Sequence, residues 1–325
     1  MERTLAVLLQ MGGPSSLAEV QPFLEHLLSD PAILRVPRLL RLPLARWIAR
    51  RRAPSVREIY RSLGGGSPIG AITEAQARGL RQELVRRGLD LQVRVAMRYV
   101  PPRAEDGIRD AVAAGVRRLV LLPLYPQFST TTTGSSLAEF RAAASRLGLD
   151  AEIREVEDYP DHPLYVQALA DQVRRTLDEV PPDLRDRTRI LWSAHGLPER
   201  YVRAGDPYPR RVERTVAAVE ALLAGSGPIP PGRICWQSRV GPVRWLRPST
   251  EETVLEEGRQ GTRALVVVPV SFVSDHLETL YELDVLVRGI AARAGIVGFH
   301  RVPALNDHPL FLQALADLVQ EAVTR

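Results

Sequence analysis

One cysteine, Cys235, stands in a chain of 325 residues. Neither an internal disulfide nor a cysteine-ligated iron–sulfur cluster can therefore form within the chain, and no resident cofactor is expected. Flanked by Ile234 and Trp236, Cys235 reads as a small core residue. Long hydrophobic runs are also missing. The N-terminal stretch MERTLAVLLQMGGP is too short to span a bilayer and lacks a signal peptide's basic flank and cleavage site, so a cytoplasmic protein is expected. Nor is there a strong excess of one charge. A net charge of +5 suits an anionic ligand or membrane surface, and no nucleic-acid partner is expected. The 45% apolar and 25% charged content excludes a disordered or fibrous chain. The length allows two domains, each with a core.

Much of the positive charge is local. Residues 35–52, RVPRLLRLPLARWIARRR, hold seven arginines among Leu, Ile, Val and Trp47. Such a segment can lie in a membrane interface, apolar side down, or form a surface helix pair with solvated arginines. Pro37 and Pro43 are expected to break it into short helices, a lip within about residues 22–60.

An internal repeat organises the chain. Asp161–Val173 (DHPLYVQALADQV) and Asp307–Val319 (DHPLFLQALADLV) agree at ten of thirteen positions, 146 residues apart. The same register aligns GVRRLVLLPL from Gly115 with GTRALVVVPV from Gly261. Uniformly apolar runs at Leu119–Leu124 and Leu265–Val270 suit parallel strands covered on both faces. Asp161 and Asp307 are expected to cap helices that open on a proline. The fold class is thus α/β, with two similar doubly wound, Rossmann-like lobes, residues 1–160 and 161–325. The last helix, about 307–325, is expected to pack back on the first lobe. Ligands of such sheets sit beyond the carboxyl ends of the strands. Those ends carry MGGP, LYPQFSTTTTGSS, SAHGLP and VSFVSDHLE, which places the expected active site in a cleft between the lobes.

The repeat is chemically unequal. Thr130 and Thr132 occupy the positions of His276 and Glu278, and Gly12-Gly13 opens the first half where His195-Gly196 opens the second. His195, on a turn at a strand end, can accept a proton or bind a metal near neutral pH; a turn histidine bonded to backbone is the competing reading. Glu278 and Glu282, four residues apart on an expected helix, share one face. Imidazole with carboxylate accepts Fe²⁺, Zn²⁺ or Co²⁺ and leaves coordination positions open, though an ordinary solvated pair would read the same. Gly64-Gly65-Gly66-Ser67 lacks P-loop spacing and reads as a hinge or a close approach to a flat ligand. His162 and His308 read as structural, and His26 and His300 receive no role.

The segments LLQMGGP, YRSLGGGSPI, MRYVPP, LPLYPQFSTTTTGSS, WSAHGLPERYVRAGDPYP, CWQSRVGPVRWLRPSTEE and VVPVSFVSDHLETLYELD together resemble the ferrochelatase family over essentially the whole chain. The resemblance implies insertion of Fe²⁺ into protoporphyrin IX with release of two protons, iron being a substrate. It implies that His195 takes pyrrole protons or binds the iron, with Glu278 its partner across the porphyrin plane. Asp275, His276 and Glu282 would stand behind them, and Met11, Tyr60, Ser67, Arg98 and Tyr99 would contact the porphyrin or shape its pocket. Leu286 departs from the family's longest acidic ladder. The MGGP and SRVGP motifs are similar to the protoporphyrin branch, and some relatives' iron–sulfur cluster is not expected here.

Two other readings fit these residues: a tetrapyrrole carrier without turnover, and a cobalt or nickel chelatase on the same scaffold.

Overall fold

The computed structural model describes residues 3–324, apart from 32, 35, 240 and 242. The chain divides into two compact units. The first comprises the chain up to Asp158 together with Leu315 onward, and the second comprises Tyr159–Ala314.

The first unit begins with β1 (Thr4–Gln10), followed by helices α1 (Val20–Ser29), α2 (Arg38–Ser62) and α3 (Ile69–Arg86). It continues through β2 (Gln92–Met97), α4 (Ala104–Ala113), β3 (Arg118–Pro123), a π-helical turn (Thr130–Gly134), α5 (Ser135–Arg146) and β4 (Glu152–Glu155). Its four strands are parallel, in the order β2-β1-β3-β4. Leu5, Val7 and Leu9 pack with Leu119, Leu121, Ile108 and Phe140 on one face. The alternate residues Ala6 and Leu8 are buried too, and double-sided burial is why these strands read as continuous apolar runs.

The second unit contains α6 (Pro163–Asp178), β5 (Thr188–His195), α7 (Glu199–Arg203), α8 (Tyr208–Ala224), β6 (Gly232–Gln237) and α9 (Thr250–Arg259). β7 (Ala264–Pro269), a π-helix (Glu278–Val287), α10 (Arg288–Arg293), β8 (Gly298–Arg301) and α11 (Pro309–Thr324) follow. Its parallel sheet has the matching order β6-β5-β7-β8. In the 146-residue register β3 superposes on β7, β4 on β8 and α6 on α11, residue for residue at both ends. From Leu315 onward α11 belongs to the first unit, where Asp317 pairs with Arg87 and the Val323 carbonyl accepts from Arg118.

Three local expectations are corrected. Of the two prolines expected to break the segment, Pro37 precedes α2, but Pro43 does not interrupt it, and the helix also runs through Pro54. Each is exposed, as are Leu39 and Arg50, whose carbonyls lose their N–H partners, so water can solvate the gaps. The buried stripe Ala45, Ala49, Ala53 and Tyr60, at helical spacing, anchors the helix. Asp161 is not a cap: His162 is the residue before α6, Pro163 opens it, and Asp161 pairs with Arg214. The segment carrying Glu278 and Glu282 is π-helical rather than α-helical.

Candidate functional site

In the second unit, β5 ends at His195 and β7 leads, through Phe272–Leu277, to the π-helix that opens at Glu278. Because β5 and β7 are neighbours in one sheet, the two residues meet directly. His195 Nδ1 lies 2.7 Å from Glu278 Oε2. This corrects the expectation that they face each other across a porphyrin plane, since no macrocycle fits within a hydrogen bond. The His195 backbone N–H donates to Ser271 Oγ at 2.9 Å, and Phe272 meets the imidazole edge-on with centroids 6.2 Å apart. Gly196 is required next: its N–H donates to the Gln237 carbonyl at 2.7 Å, and an added Cβ would stand 2.6 Å from that oxygen.

β6 supplies groups that sequence reasoning missed. Gln237, paired in register with His195, donates from Nε2 to the Glu278 carbonyl at 3.0 Å. Ser238, at φ 65°, donates to Glu278 Oε2 at 2.8 Å and also hydrogen-bonds Glu282 Oε2. A hydroxyl has one proton, so it can serve only one carboxylate at a time. The available signal was positional: Gln237-Ser238 also follows a strand's carboxyl end. Val240 and Pro242 of the SRVGP motif lie outside the described residues.

Burial opposes charge on His195, but the Glu278 carboxylate beside it, by charge and hydrogen bond, holds its pKa above the usual 6.5. Burial likewise opposes ionisation of Glu278, yet His195 outweighs it, and Glu278 is held well below the usual carboxylate range. Glu282 is pushed up to about 7, by burial first and by the Glu278 charge second. The His195 side chain remains 41% exposed, so it stays within reach of a ligand.

His276 Nε2 stands 3.8 Å from Glu278 Oε1, and its Nδ1 is 3.0 Å from the Ser274 carbonyl; that geometry places the Nδ1 proton toward Ser274. Asp275 turns elsewhere, accepting from Thr279 Oγ1 at 2.8 Å, Arg301 Nη1 at 2.9 Å and Asn306 Nδ2 at 3.0 Å. Imidazole nitrogen and carboxylate oxygen are thus the donors offered to a metal. Among the described residues no group of three or more His, Cys, Asp or Glu side chains is placed to hold one.

The remaining expected residues lie in the first unit. Met11 follows β1, its N–H donating to Gln10 Oε1 at 2.9 Å. Ser67 donates its N–H to the Pro14 carbonyl at 2.7 Å. A Cβ on Gly66 would stand 2.3 Å from the Ser15 carbonyl oxygen, so this glycine serves loop-on-loop packing. Tyr60 is buried at the end of α2. Arg98 is already engaged: Nε donates to Asp30 Oδ2 at 2.9 Å, and Nη1 to the Ser135 carbonyl at 2.8 Å and to Glu139 Oε2 at 2.9 Å. The Tyr99 hydroxyl donates to the same Asp30 oxygen at 2.7 Å; burial, then the Asp30 charge, pushes its pKa up.

A family model described as Ferrochelatase matches residues 4–323. The chain is 46% identical over 328 residues to the ferrochelatase of Thermosynechococcus vestitus, covering 99% of this chain and 82% of that one. Against the ferrochelatase of Geotalea daltonii identity is 42%, covering 98% of each. Among solved structures, SirB from Bacillus subtilis with Fe³⁺ aligns with TM-score 0.58 at 15% identity, covering 98% of this chain and 95% of that one. That likeness concerns the fold alone.

Proposed function

The chain belongs to the ferrochelatase family, and on that premise we propose that it inserts Fe²⁺ into protoporphyrin IX, releasing two protons and yielding protohaem. The observation that carries the mechanism is the hydrogen-bonded chain His195–Glu278–Ser238–Glu282. With Nδ1 committed to Glu278, His195 presents Nε2 to the substrate, as base or ligand. A pyrrole N–H proton passes to the neutral imidazole, and the adjacent Glu278 carboxylate stabilises the imidazolium that forms. Glu282, with a pKa of about 7, is poised to take up a proton and lose it to solvent.

Metal and proton compete for the same lone pairs, so His195 and Glu278 serve either partner but not both at once. Two protein donors leave most of the iron's coordination sphere free for transfer to the four pyrrole nitrogens. In the first unit, Arg98 and Tyr99 are assigned to shaping, because Asp30, Ser135 and Glu139 already take their donors. Met11, Tyr60 and Ser67 are proposed to contact the porphyrin or shape its pocket.

We further propose that α2 touches an anionic membrane surface from the cytoplasmic side. Leu39 is 89% exposed and Trp47 57% exposed, beside the exposed arginines Arg46, Arg50, Arg51 and Arg52. That is the composition of an interfacial segment. Arg35, at the start of the segment, lies outside the described residues. Among the described residues no helix is long and apolar enough to cross a membrane.

The activity is tested by anaerobic incubation with protoporphyrin IX and Fe²⁺, following the porphyrin absorption bands. Multiple turnovers to metalloporphyrin support the reading. Stoichiometric porphyrin binding without insertion would replace it with the carrier. Insertion of cobalt or nickel to the exclusion of iron would replace it with a different chelatase.

A further inference from the structure

The two repeats diverge in the length of their π-helical segments. In the first unit the π-helical turn lasts five residues, Thr130–Gly134, before α5 takes over. In the second it lasts ten, Glu278–Val287. Such helices occur mostly as single turns, so the second turn needs support from outside the helix.

The 146-residue register shows what was added. Arg301 stands where the first repeat has Glu155, Asp275 where it has Ser129, and Asp284 where it has Ala138. Arg301 closes β8, as Glu155 closes β4. Its Nη1 donates to Asp275 Oδ1 at 2.9 Å and its Nε to Asp284 Oδ2 at 2.6 Å. The Arg301 side chain is only 11% exposed, where charge-assisted bonds of this kind are strong. Asp275 is three residues before the π-helix, and Asp284 lies in its second turn. Asp284 is steadied further by Arg288, whose Nη2 donates to Oδ1 at 3.1 Å and whose Nη1 reaches the Phe299 carbonyl at 2.7 Å. In the first repeat Ala138 offers no side-chain acceptor, and Glu155 pairs instead with Arg141 at 3.3 Å.

We infer that Arg301 is a positioning residue for metal insertion: it clamps the approach to the π-helix onto its second turn and thereby fixes Glu282 beside Ser238, one turn from Glu278. The inference rests on the reading of Glu278 and Glu282 as groups of a chelatase site. Arg301 acts only through the register of the helix. The clamp is made of charged, directional bonds, which hold the segment at defined points along its length.

The test compares wild type, Arg301→Gln, Asp284→Asn and the double variant in steady-state insertion, with amide hydrogen exchange across 279–288. The KM for the metal is expected to rise about fivefold or more in each single variant, with porphyrin affinity held within about twofold. The double variant should fall short of the sum of the two single effects, because both remove the Arg301–Asp284 bond. Amide protection should fall at 282–287 and hold in β5 and β7. Asp284→Asn keeps the side chain's shape and carries the test if Arg301→Gln does not fold. Unchanged metal KM in folded variants, or additive effects of the two substitutions, would overturn the clamp. Absence of insertion by wild type would refute the chelatase reading instead, and exchange and coupling of stability would still decide the clamp.

Discussion

His195 Nδ1 and Glu278 Oε2 are 2.7 Å apart, joined within one sheet by the adjacent strands β5 and β7. The two groups are therefore electrostatically one unit and titrate together, and the proposed mechanism uses them as one proton-handling pair. Each group's charge is set by the other, which makes the pH dependence of insertion a direct probe of the contact.

The sign follows from the raised His195 pKa. Burial opposes protonation, but Glu278 overrides it, so the imidazolium persists above the usual 6.5. The neutral base is scarce on the acid side, and the insertion rate should climb with pH along a limb centred above 6.5. Glu278→Gln removes the charge and leaves burial, so the residual limb should move down by about one pH unit or more. Glu282 also titrates near 7; the profile of Glu282→Gln separates its contribution. An acid limb unmoved by Glu278→Gln would show that His195 is not the titrating base.

Glu282 carries a stability cost of opposite sign to the usual carboxylate. Its pKa is raised to about 7 by burial and by Glu278, so folding tolerates it freely only while it is protonated. The penalty is absent below pH 4, where the unfolded group is also protonated, grows from about the unfolded value of 4.5 up to about 7, and levels off above that. Glu282→Gln should thus stabilise the protein by about 2–3 kcal/mol at pH 8 and by almost nothing at pH 4. Thermal unfolding at the two pH values measures this.

The fold was legible because its causes are repeated and local. Runs such as Leu119–Leu124 are apolar throughout because both faces of the sheet are covered, and the 146-residue repeat announced two equivalent lobes. His195 was legible from its place at a strand end before a glycine. The π-helix was not, because 278–287 carries no composition that distinguishes i→i+5 from i→i+4 pairing. Ser238 was missed because a hydroxyl gains its importance from two carboxylates that only the fold brings near. The partners of Arg98 were not legible either, because Asp30 and Glu139 lie far from it in sequence and only the fold brings them to its guanidinium.

That occupancy gives a stability prediction. Asp30 is buried and accepts from both Arg98 and Tyr99. Arg98→Gln strands its charge and should cost about 3–5 kcal/mol. Adding Asp30→Asn should recover much of the loss. Chemical denaturation of the single and double variants decides the matter; a near-neutral single variant would show that buried Asp30 does not depend on Arg98.

For α2, Leu39→Glu with Leu40→Glu should weaken binding to anionic vesicles by about tenfold or more, since both apolar contact and charge complementarity are lost. Wild-type binding should weaken as salt rises. Trp47, 57% exposed, reports the contact through a blue shift of its fluorescence. No shift with phosphatidylserine vesicles at low salt would refute the membrane contact.

The most direct test of the account is single-turnover metal insertion by Glu278→Gln, with protoporphyrin IX pre-bound and Fe²⁺ or Zn²⁺ added anaerobically. The account predicts a rate at least about 100-fold below wild type, the scale of a lost acid–base partner, with porphyrin affinity essentially kept. Insertion at a near-normal rate would contradict it, because the pair at 2.7 Å would then be structural and the protons would leave by another route.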